Sequence, residues 1–194
     1  MLPPDVILMP LLTQWLQEDI GRGDRTTLGL GPLASPRHHA LWVAKAAGVI
    51  AGLPVAQKVF TILDAETHFS PLVKEGEWCQ AGTAIARLEG PLSALLMGER
   101  VALNLAMRRS GIATATRQYA DIIADLPTQL VDTRKTTPGL RHLEKYATWI
   151  GGAMNHRMGL DDAVMIKDNH IAAAGGITAA VNHIRQSMPY QMTI

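Results

Sequence analysis

With 194 residues, 47% of them hydrophobic and 18% charged, the chain has the make-up of a globular protein with a sizeable core, which excludes a disordered chain. A formal net charge of +1 excludes an overall basic field of the kind that binds nucleic acid. The single cysteine, Cys79, excludes an internal disulfide, and no Cys/His cluster has zinc spacing, so a reducing cytoplasm is the expected compartment.

From the N-terminus, Ile7/Leu8, Leu11/Leu12 and Trp15/Leu16 recur about every four residues and predict a helix. This stretch lacks a basic leader, contains Pro10 and runs into Glu18–Asp19, so it does not read as a signal peptide. No run is long enough to span a membrane. Gly21-Arg22-Gly23-Asp24 is a turn or loop. His39 to Ile50 reads as a strand ending at Gly52-Leu53-Pro54, and Val55, Val59, Ile62 and Leu63 share one face of the next helix. Phe69 to Leu88 alternates short apolar pieces with Glu75-Gly76 and Ala81-Gly82, as tight hairpins do. It is similar to the β-turn repeats of lipoyl-type half-barrels, without a lysine where a carrier would be modified.

Pro91 to Asp125 is the longest helical region, with Leu92, Leu95, Leu96, Leu103 and Met107 at three- and four-residue steps. Ser110-Gly111 is expected to interrupt it, and the domain boundary is placed there, giving domains 1–110 and 111–194. Beyond it, Gln129–Asp132 and Ala163–Ile166 are strand candidates, Ile177–Ser187 is a helix after Gly175-Gly176, and Tyr190–Ile194 begins a third strand. The fold class is therefore α/β. An α+β N-terminal domain with a small half-barrel-like β region is followed by the first part of an incomplete parallel β/α barrel.

Three clusters carry chemistry. Asp132-Thr133-Arg134-Lys135-Thr136-Thr137-Pro138-Gly139 follows the first barrel-like strand, and Lys167-Asp168-Asn169-His170 follows the next. Asn155-His156-Arg157-Met158-Gly159-Leu160 lies on the loop between them. In parallel β/α folds the carboxyl ends of strands face the ligand, so Arg134, Lys135 and Lys167 are expected at one mouth with His156 and Arg157 beside it. Cations gathered in a partly dry pocket repel one another unless an anion joins them. Arginine takes a carboxylate or phosphate through a planar fork, and lysine acts as a point charge. The set suits a ligand with several negative groups; the competing reading is solvated loop charge.

These three clusters, with Gly98-Glu99-Arg100-Val101-Ala102-Leu103-Asn104 and Ser110-Gly111-Ile112-Ala113-Thr114, resemble quinolinate phosphoribosyltransferases in order and spacing. Glu18-Asp19-Ile20-Gly21-x-Gly23-Asp24-x-Thr26-Thr27 and Ala51-Gly52-Leu53-Pro54 fit the same family. The resemblance implies a dimer, or a multiple of dimers, that condenses quinolinate with phosphoribosyl pyrophosphate, using magnesium. The products are nicotinate mononucleotide, pyrophosphate and carbon dioxide. It implies that Arg134, His156 and Arg157 hold the quinolinate carboxylates. Lys135 and Lys167, the implied catalytic pair, lie between quinolinate and the donor phosphates, and Arg100 is lent by a neighbouring subunit.

Asp132 and Asp168 are expected to orient neighbouring cations. Asn169 and His170 either shape the donor site or stabilise their loop. Gly175-Gly176 is read as a plain helix entry, Met154, Met158 and Met165 as packing around the barrel interior, and Cys79 as structural. Family members continue past the equivalent of Ile194 with the carboxylates associated with magnesium and the loops that hold the 5-phosphate. No metal ligand is therefore assigned within these residues, and the chain by itself is expected to show negligible turnover. The alternatives are a phosphoribosyltransferase-like protein linked to molybdenum uptake, a nicotinate phosphoribosyltransferase, and a non-catalytic fragment that dimerises or binds small anions.

Overall fold

The computed structural model describes residues 2–194. Helix α1 (Asp5–Ile20) buries Leu8, Leu12 and Leu16, the face the periodicity indicated. A short helix α2 (Arg25–Leu30) follows, capped by Asp24, whose carboxylate accepts the backbone N–H of Thr26 at 3.0 Å and of Thr27 at 3.2 Å. These bonds and one from the Thr27 hydroxyl hold the Asp24 carboxyl below its usual range. The Gly23-Asp24-x-Thr26-Thr27 phrase is thus a capping device.

The expected strand from His39 to Ile50 is two strands, β1 (Arg37–Val43) and β2 (Gly48–Val49). The chain turns between them, where Ala44 exchanges backbone hydrogen bonds with Thr83 and Gly82. Helix α3 (Leu53–Leu63) is followed by β3 (His68–Pro71), β4 (Trp78–Cys79) and β5 (Ala84–Pro91). β5 lies between β1 and β3, antiparallel to both, and β2 pairs with β4. The register sets Ala40, Leu88 and Phe69 side by side on one face. That face meets α1, α3 and the first half of α4 in a core holding Trp42, Val55, Val59, Phe60 and Ala102. Trp42 meets Phe69 edge-on at 5.5 Å, and Cys79 is buried in the same core.

Helix α4 (Leu92–Ile122) runs unbroken for 31 residues, about 46 Å at 1.5 Å per residue. The interruption expected at Ser110-Gly111 does not occur. Ser110 Oγ accepts the Ala51 N–H at 3.0 Å, and Thr114 Oγ1 accepts the Val49 N–H at 2.8 Å. The two hydroxyls serve the segment at β2 as a neighbouring strand would, and Val49 and Ala51 are fully buried beneath them. Ser110-Gly111-Ile112-Ala113-Thr114 is therefore a seam between helix and sheet. A glycine inside a helix costs only about 1 kcal/mol, which the seam outweighs.

Beyond α4 come α5 (Arg141–Ile150), α6 (Asp168–Ala174) and α7 (Ile177–Ser187). The expected strand at Gln129–Asp132 is reduced to one parallel bridge, Val131 to Met154. Its partner is a segment that the periodicity did not mark as a strand. Ala163–Ile166 and Tyr190–Ile194 are neighbours through a single bond, Val164 N–H to Thr193 O at 3.0 Å, and form no ladder among the described residues. Met158 and Met165 are half-buried, but Met154 is 51% exposed. It lies over an apolar groove of about 500 Å³ with Leu2, Tyr146 and Trp149, so it does not pack in a closed interior.

Glu75 ties the two halves together. Its carboxylate accepts the Gly52 N–H at 3.0 Å and the Leu53 N–H at 2.7 Å, capping α3, and also the Tyr146 hydroxyl of α5 at 2.7 Å. Burial, reinforced by Glu75, raises the Tyr146 phenol far above its ordinary range. Where α5 ends, a Cβ on Gly151 would stand 2.5 Å from Thr116 Cβ and 2.6 Å from Ala113 O, so α4 and the end of α5 touch only because that residue is glycine. Gly151→Ala should lower stability by about 1–3 kcal/mol in urea unfolding. Gly111→Ala, where nothing lies within 4 Å, should instead raise it by roughly 0.4–1 kcal/mol.

Candidate functional site

The parallel bridge sets the geometry of the cation-bearing loops. Met154 N–H donates to Leu130 O at 2.8 Å and Asp132 N–H to Met154 O at 3.0 Å, so the two segments run together. The residues after them, Thr133–Lys135 and Asn155–Arg157, leave at the same end. His156 and Arg157 therefore follow a strand-like segment of their own, where the sequence suggested a connecting loop.

Beneath that end lies a buried ion pair. Lys145, 1% exposed, donates from Nζ to Asp132 Oδ1 at 2.5 Å and to the His156 carbonyl at 2.9 Å. Asp132 Oδ1 also accepts the His156 N–H at 2.7 Å. Its Oδ2 accepts Asn155 Nδ2 at 2.8 Å and the Thr148 hydroxyl at 3.2 Å. His156 is thus held at both its backbone N–H and its carbonyl. Its ring nitrogen Nδ1 accepts the Arg157 N–H at 2.7 Å, which leaves Nε2 on the exposed side as the donor of the neutral ring. Asp132 is expected from the sequence to orient neighbouring cations; the cation it holds is Lys145, and it makes no bond to Arg134 or Lys135.

A second set of contacts holds the Arg134–Gly139 loop from outside. Glu144 Oε2 accepts the Thr137 N–H at 3.0 Å, while Oε1 accepts Arg108 Nη2 at 2.5 Å and Nε at 3.1 Å. Arg108 Nη2 also donates to the Thr137 hydroxyl at 2.8 Å. Arg141 joins this loop to the next one, reaching Thr136 Oγ1 and the Met158 carbonyl, both at 3.1 Å. Between the two loops lies a cleft of about 470 Å³ lined by Thr136, Arg141, His142, Met158 and Asp161 among others. Burial opposes the Glu144 charge, but the bonds from Arg108 and Thr137 prevail and lower its pKa from 4.5.

Arg134 is half-buried and Lys135 exposed, and neither side chain has a protein partner among the described residues. The Lys167 side chain is likewise exposed and unpartnered. Its backbone and His170 close the first turn of α6, with Lys167 N–H to His170 Nδ1 at 3.0 Å and His170 N–H to Lys167 O at 2.8 Å. Arg157 is half-buried and donates to the Ala163 carbonyl at 2.5 Å, linking its loop to the segment that precedes Lys167; its Nε is buried without a partner. Arg100 is exposed on α4, its guanidinium 3.7 Å from the Glu99 carboxylate. Asp168 is exposed in the first turn of α6 and binds no cation among the described residues. The Gly175 and Gly176 amides are spent on closing α6, as a plain helix junction requires.

The sequence patterns assign no role to Lys145, Glu144, Arg141 or Arg108. Leu143, Tyr146 and Ala147 form the apolar face of α5, and by helical geometry Lys145 stands almost opposite, where a solvated charge is the default. Only the position of Asp132 before a cation-rich loop hints that a buried counter-charge is required. Beside Arg108, Arg109 is 2% exposed; burial, then repulsion from Arg108, pushes its pKa down to about 10.

Lys145→Met strands the Asp132 carboxylate and should cost about 3–5 kcal/mol in urea unfolding, whereas Lys145→Met with Asp132→Leu should recover much of the loss. The Glu144 pKa is depressed in the folded state, so its stabilising contribution is present above about pH 4.5 and is lost as pH falls through the folded value. Between about pH 5 and pH 3, wild-type stability should therefore fall more steeply than that of Glu144→Gln.

Two family models match consecutive parts of the chain. The quinolinate phosphoribosyl transferase N-terminal domain matches residues 24–110, and the C-terminal domain of the same family matches residues 112–194. A probable carboxylating nicotinate-nucleotide pyrophosphorylase of Synechocystis sp. is 61% identical over 193 residues, and one of Bacillus subtilis is 46% identical over 187. These alignments cover 100% and 96% of this chain but 65% and 64% of those proteins. The crystal structure of NadC from Streptococcus pyogenes superimposes with a TM-score of 0.92 at 39% identity, over 98% of this chain and 68% of that one. On both domain models and on this superposition, the chain belongs to the quinolinate phosphoribosyltransferase family.

Proposed function

We propose that this chain supplies the quinolinate-binding side of a phosphoribosyltransferase. That enzyme joins quinolinate to phosphoribosyl pyrophosphate and releases nicotinate mononucleotide, pyrophosphate and carbon dioxide, in the synthesis of NAD. One observation carries the reading. Arg108, Arg141 and Lys145 are spent on protein acceptors, whereas Arg134, Lys135 and Lys167 have none among the described residues. Cations held in order by a buried framework but left unpaired are the ones available to an anion. The names of the relatives from Synechocystis and Bacillus support the same activity.

In this reading Arg134, Arg157 and His156 take the two carboxylates and fix the pyridine ring, with the His156 Nε2–H as a neutral donor. Fixing the ring holds its nitrogen against the anomeric carbon of the donor. Lys135 and Lys167 stand where charge grows on the departing pyrophosphate as the ribose carbon turns oxocarbenium-like. Once the nitrogen is alkylated, the bond from the adjacent ring carbon to its carboxylate breaks and carbon dioxide leaves; the electron pair stays on that carbon, stabilised by the neighbouring positive nitrogen, and takes a proton from water. Arg100, turned outward on α4, is assigned to the pocket of a second copy in a homodimer. The division into domains 1–110 and 111–194 then falls inside α4.

Magnesium does not fit the residues of this chain. No group of three or more His, Cys, Asp or Glu side chains could hold a metal among the described residues, and both Asp132 oxygens are taken by protein donors. We assign the ion to the donor's pyrophosphate and derive no step through it. No helix of the described residues is long and apolar enough to cross a membrane, which is consistent with the proposed cytoplasmic location.

Calorimetric titration of the chain should show binding of quinolinate and weaker binding of nicotinate, which lacks one carboxylate. Equal affinities would remove the basis for two carboxylate sites. Arg134→Ala or Arg157→Ala should weaken quinolinate binding by about 1.5–3 kcal/mol each, one to two orders of magnitude in Kd. Unchanged affinity in both variants would end their assignment.

A further inference from the structure

We infer that Glu144 is a positioning residue for the anion site, setting the Arg134–Lys135 loop from behind by gripping Thr137, with Arg108 of α4 as its counter-ion. The inference rests on the reading of that loop as the quinolinate side of the site. Its basis is the way the loop is suspended. At the upstream end, Asp132 is fixed by the Met154 carbonyl and the buried Lys145. At the downstream end, Thr137 is fixed by its N–H on Glu144 and its hydroxyl on Arg108.

Between the anchors the loop has two short-range bonds of its own, Lys135 N–H to Thr133 Oγ1 at 3.0 Å and Thr136 N–H to Arg134 O at 2.9 Å, and one bond from α5, Arg141 Nε to Thr136 Oγ1 at 3.1 Å. Such short turns are too weak alone to keep two like charges in place, because each exposed bond is worth about 0.5–1.5 kcal/mol. Arg134 and Lys135 are adjacent and repel, and no protein acceptor restrains either side chain among the described residues. The downstream grip therefore decides whether the guanidinium waits in the geometry the ligand needs or samples many.

Glu144 suits the task. It is 9% exposed, it sits on a helix packed against α4, and its two oxygens divide the work, one for Arg108 and one for the Thr137 amide. Its own charge is cancelled by Arg108, so the loop gains a fixed point without a competing anion facing the ligand. Arg141, through Thr136 and the Met158 carbonyl, couples this loop to the one bearing His156 and Arg157, so a shift at Thr137 reaches both.

The test uses the 194-residue chain, with quinolinate as the probe and amide hydrogen exchange as the second readout. In Glu144→Gln, exchange at Lys135, Thr136 and Thr137 should rise at least about tenfold, while the His156 amide, held by Asp132, stays protected. Quinolinate affinity should fall about tenfold at a temperature where the variant is fully folded. Arg108→Lys, which keeps a cation beside Glu144 but loses the fork, should show the same effects at smaller size and serves if the first variant does not fold. Protection at Lys135–Thr137 that survives Glu144→Gln, or equal opening at His156, would overturn the inference. So would affinity within twofold of wild type when those three amides have opened. If the wild-type chain binds no quinolinate, the assignment of the ligand fails, and the exchange pattern alone decides whether Glu144 sets the loop.

Discussion

The Lys145–Asp132 ion pair is the constraint on which the candidate site depends. Removing both charges from water costs several kcal/mol each, and such a pair is tolerated only when the remaining lone pairs and protons find partners. Here they do. Asp132 receives Lys145, the His156 amide, the Asn155 side chain and the Thr148 hydroxyl, and Lys145 also reaches the His156 carbonyl. Two of these partners are backbone groups of a single residue, so the pair works less as a weld between two elements than as a seat for the loop above it. A well-packed apolar pair could stabilise the fold as well, but it could not hold an N–H and a carbonyl at fixed positions next to exposed cations.

The hydrogen bonds divide the basic residues into two populations. Arg108, Arg117, Arg141 and Lys145 are committed to carboxylates, hydroxyls and carbonyls of the chain, and together they pin the loops to α4 and α5. Arg134 and Lys135 stand on one of those pinned loops, and Lys167 at the start of α6, without side-chain protein partners among the described residues. Preorganised charge of this kind stabilises charge that develops in a reaction with little further movement, because the protein was ordered when it folded. Arg157 stands between the populations, since one nitrogen serves the Ala163 carbonyl while Nε remains buried and unsatisfied. An unsatisfied guanidinium nitrogen costs the folded state about 1–3 kcal/mol, and under the proposed function a ligand would supply the missing acceptor of Arg157.

How much of this could be read beforehand depended on the range of the interaction. The α1 face Leu8–Leu12–Leu16 and the helix from Val55 to Leu63 are local patterns, and both stand as read, because a buried stripe at helical spacing reports a nearby core whatever that core contains. The strands after α4 were harder. Val131 and Met154 pair through a single bridge across more than twenty residues, and nothing in the run before Met154 announces a strand. Ser110-Gly111 misled for a related reason. A serine and a glycine lower local helix propensity, but the decisive contact is with the Ala51 backbone, 59 residues away. Propensity is a local quantity, and a tertiary hydrogen bond overrode it.

The residues of the site divide in the same way. The basic residues proposed for the ligand cluster in sequence, because they sit on short loops, and Arg134, Lys135, His156, Arg157 and Lys167 were all visible for that reason. The residues that hold those loops lie on helices, Arg141, Glu144 and Lys145 on α5 and Arg108 on α4, at spacings that helical periodicity assigns to solvent. Lys145 is nearly opposite the apolar face of α5, and it is buried only because α5 is covered on two sides, by α4 and by the loops. Glu144 and Arg108 find each other across 36 residues. For Lys145 and Glu144, burial to less than one-tenth exposure marks a second covered face of α5, and the residues they bond to on that face belong to the loops. In this chain the support of the candidate site is long-range and the candidate site itself is short-range, which is why the clustered basic residues stood out in the sequence and the residues that hold their loops did not.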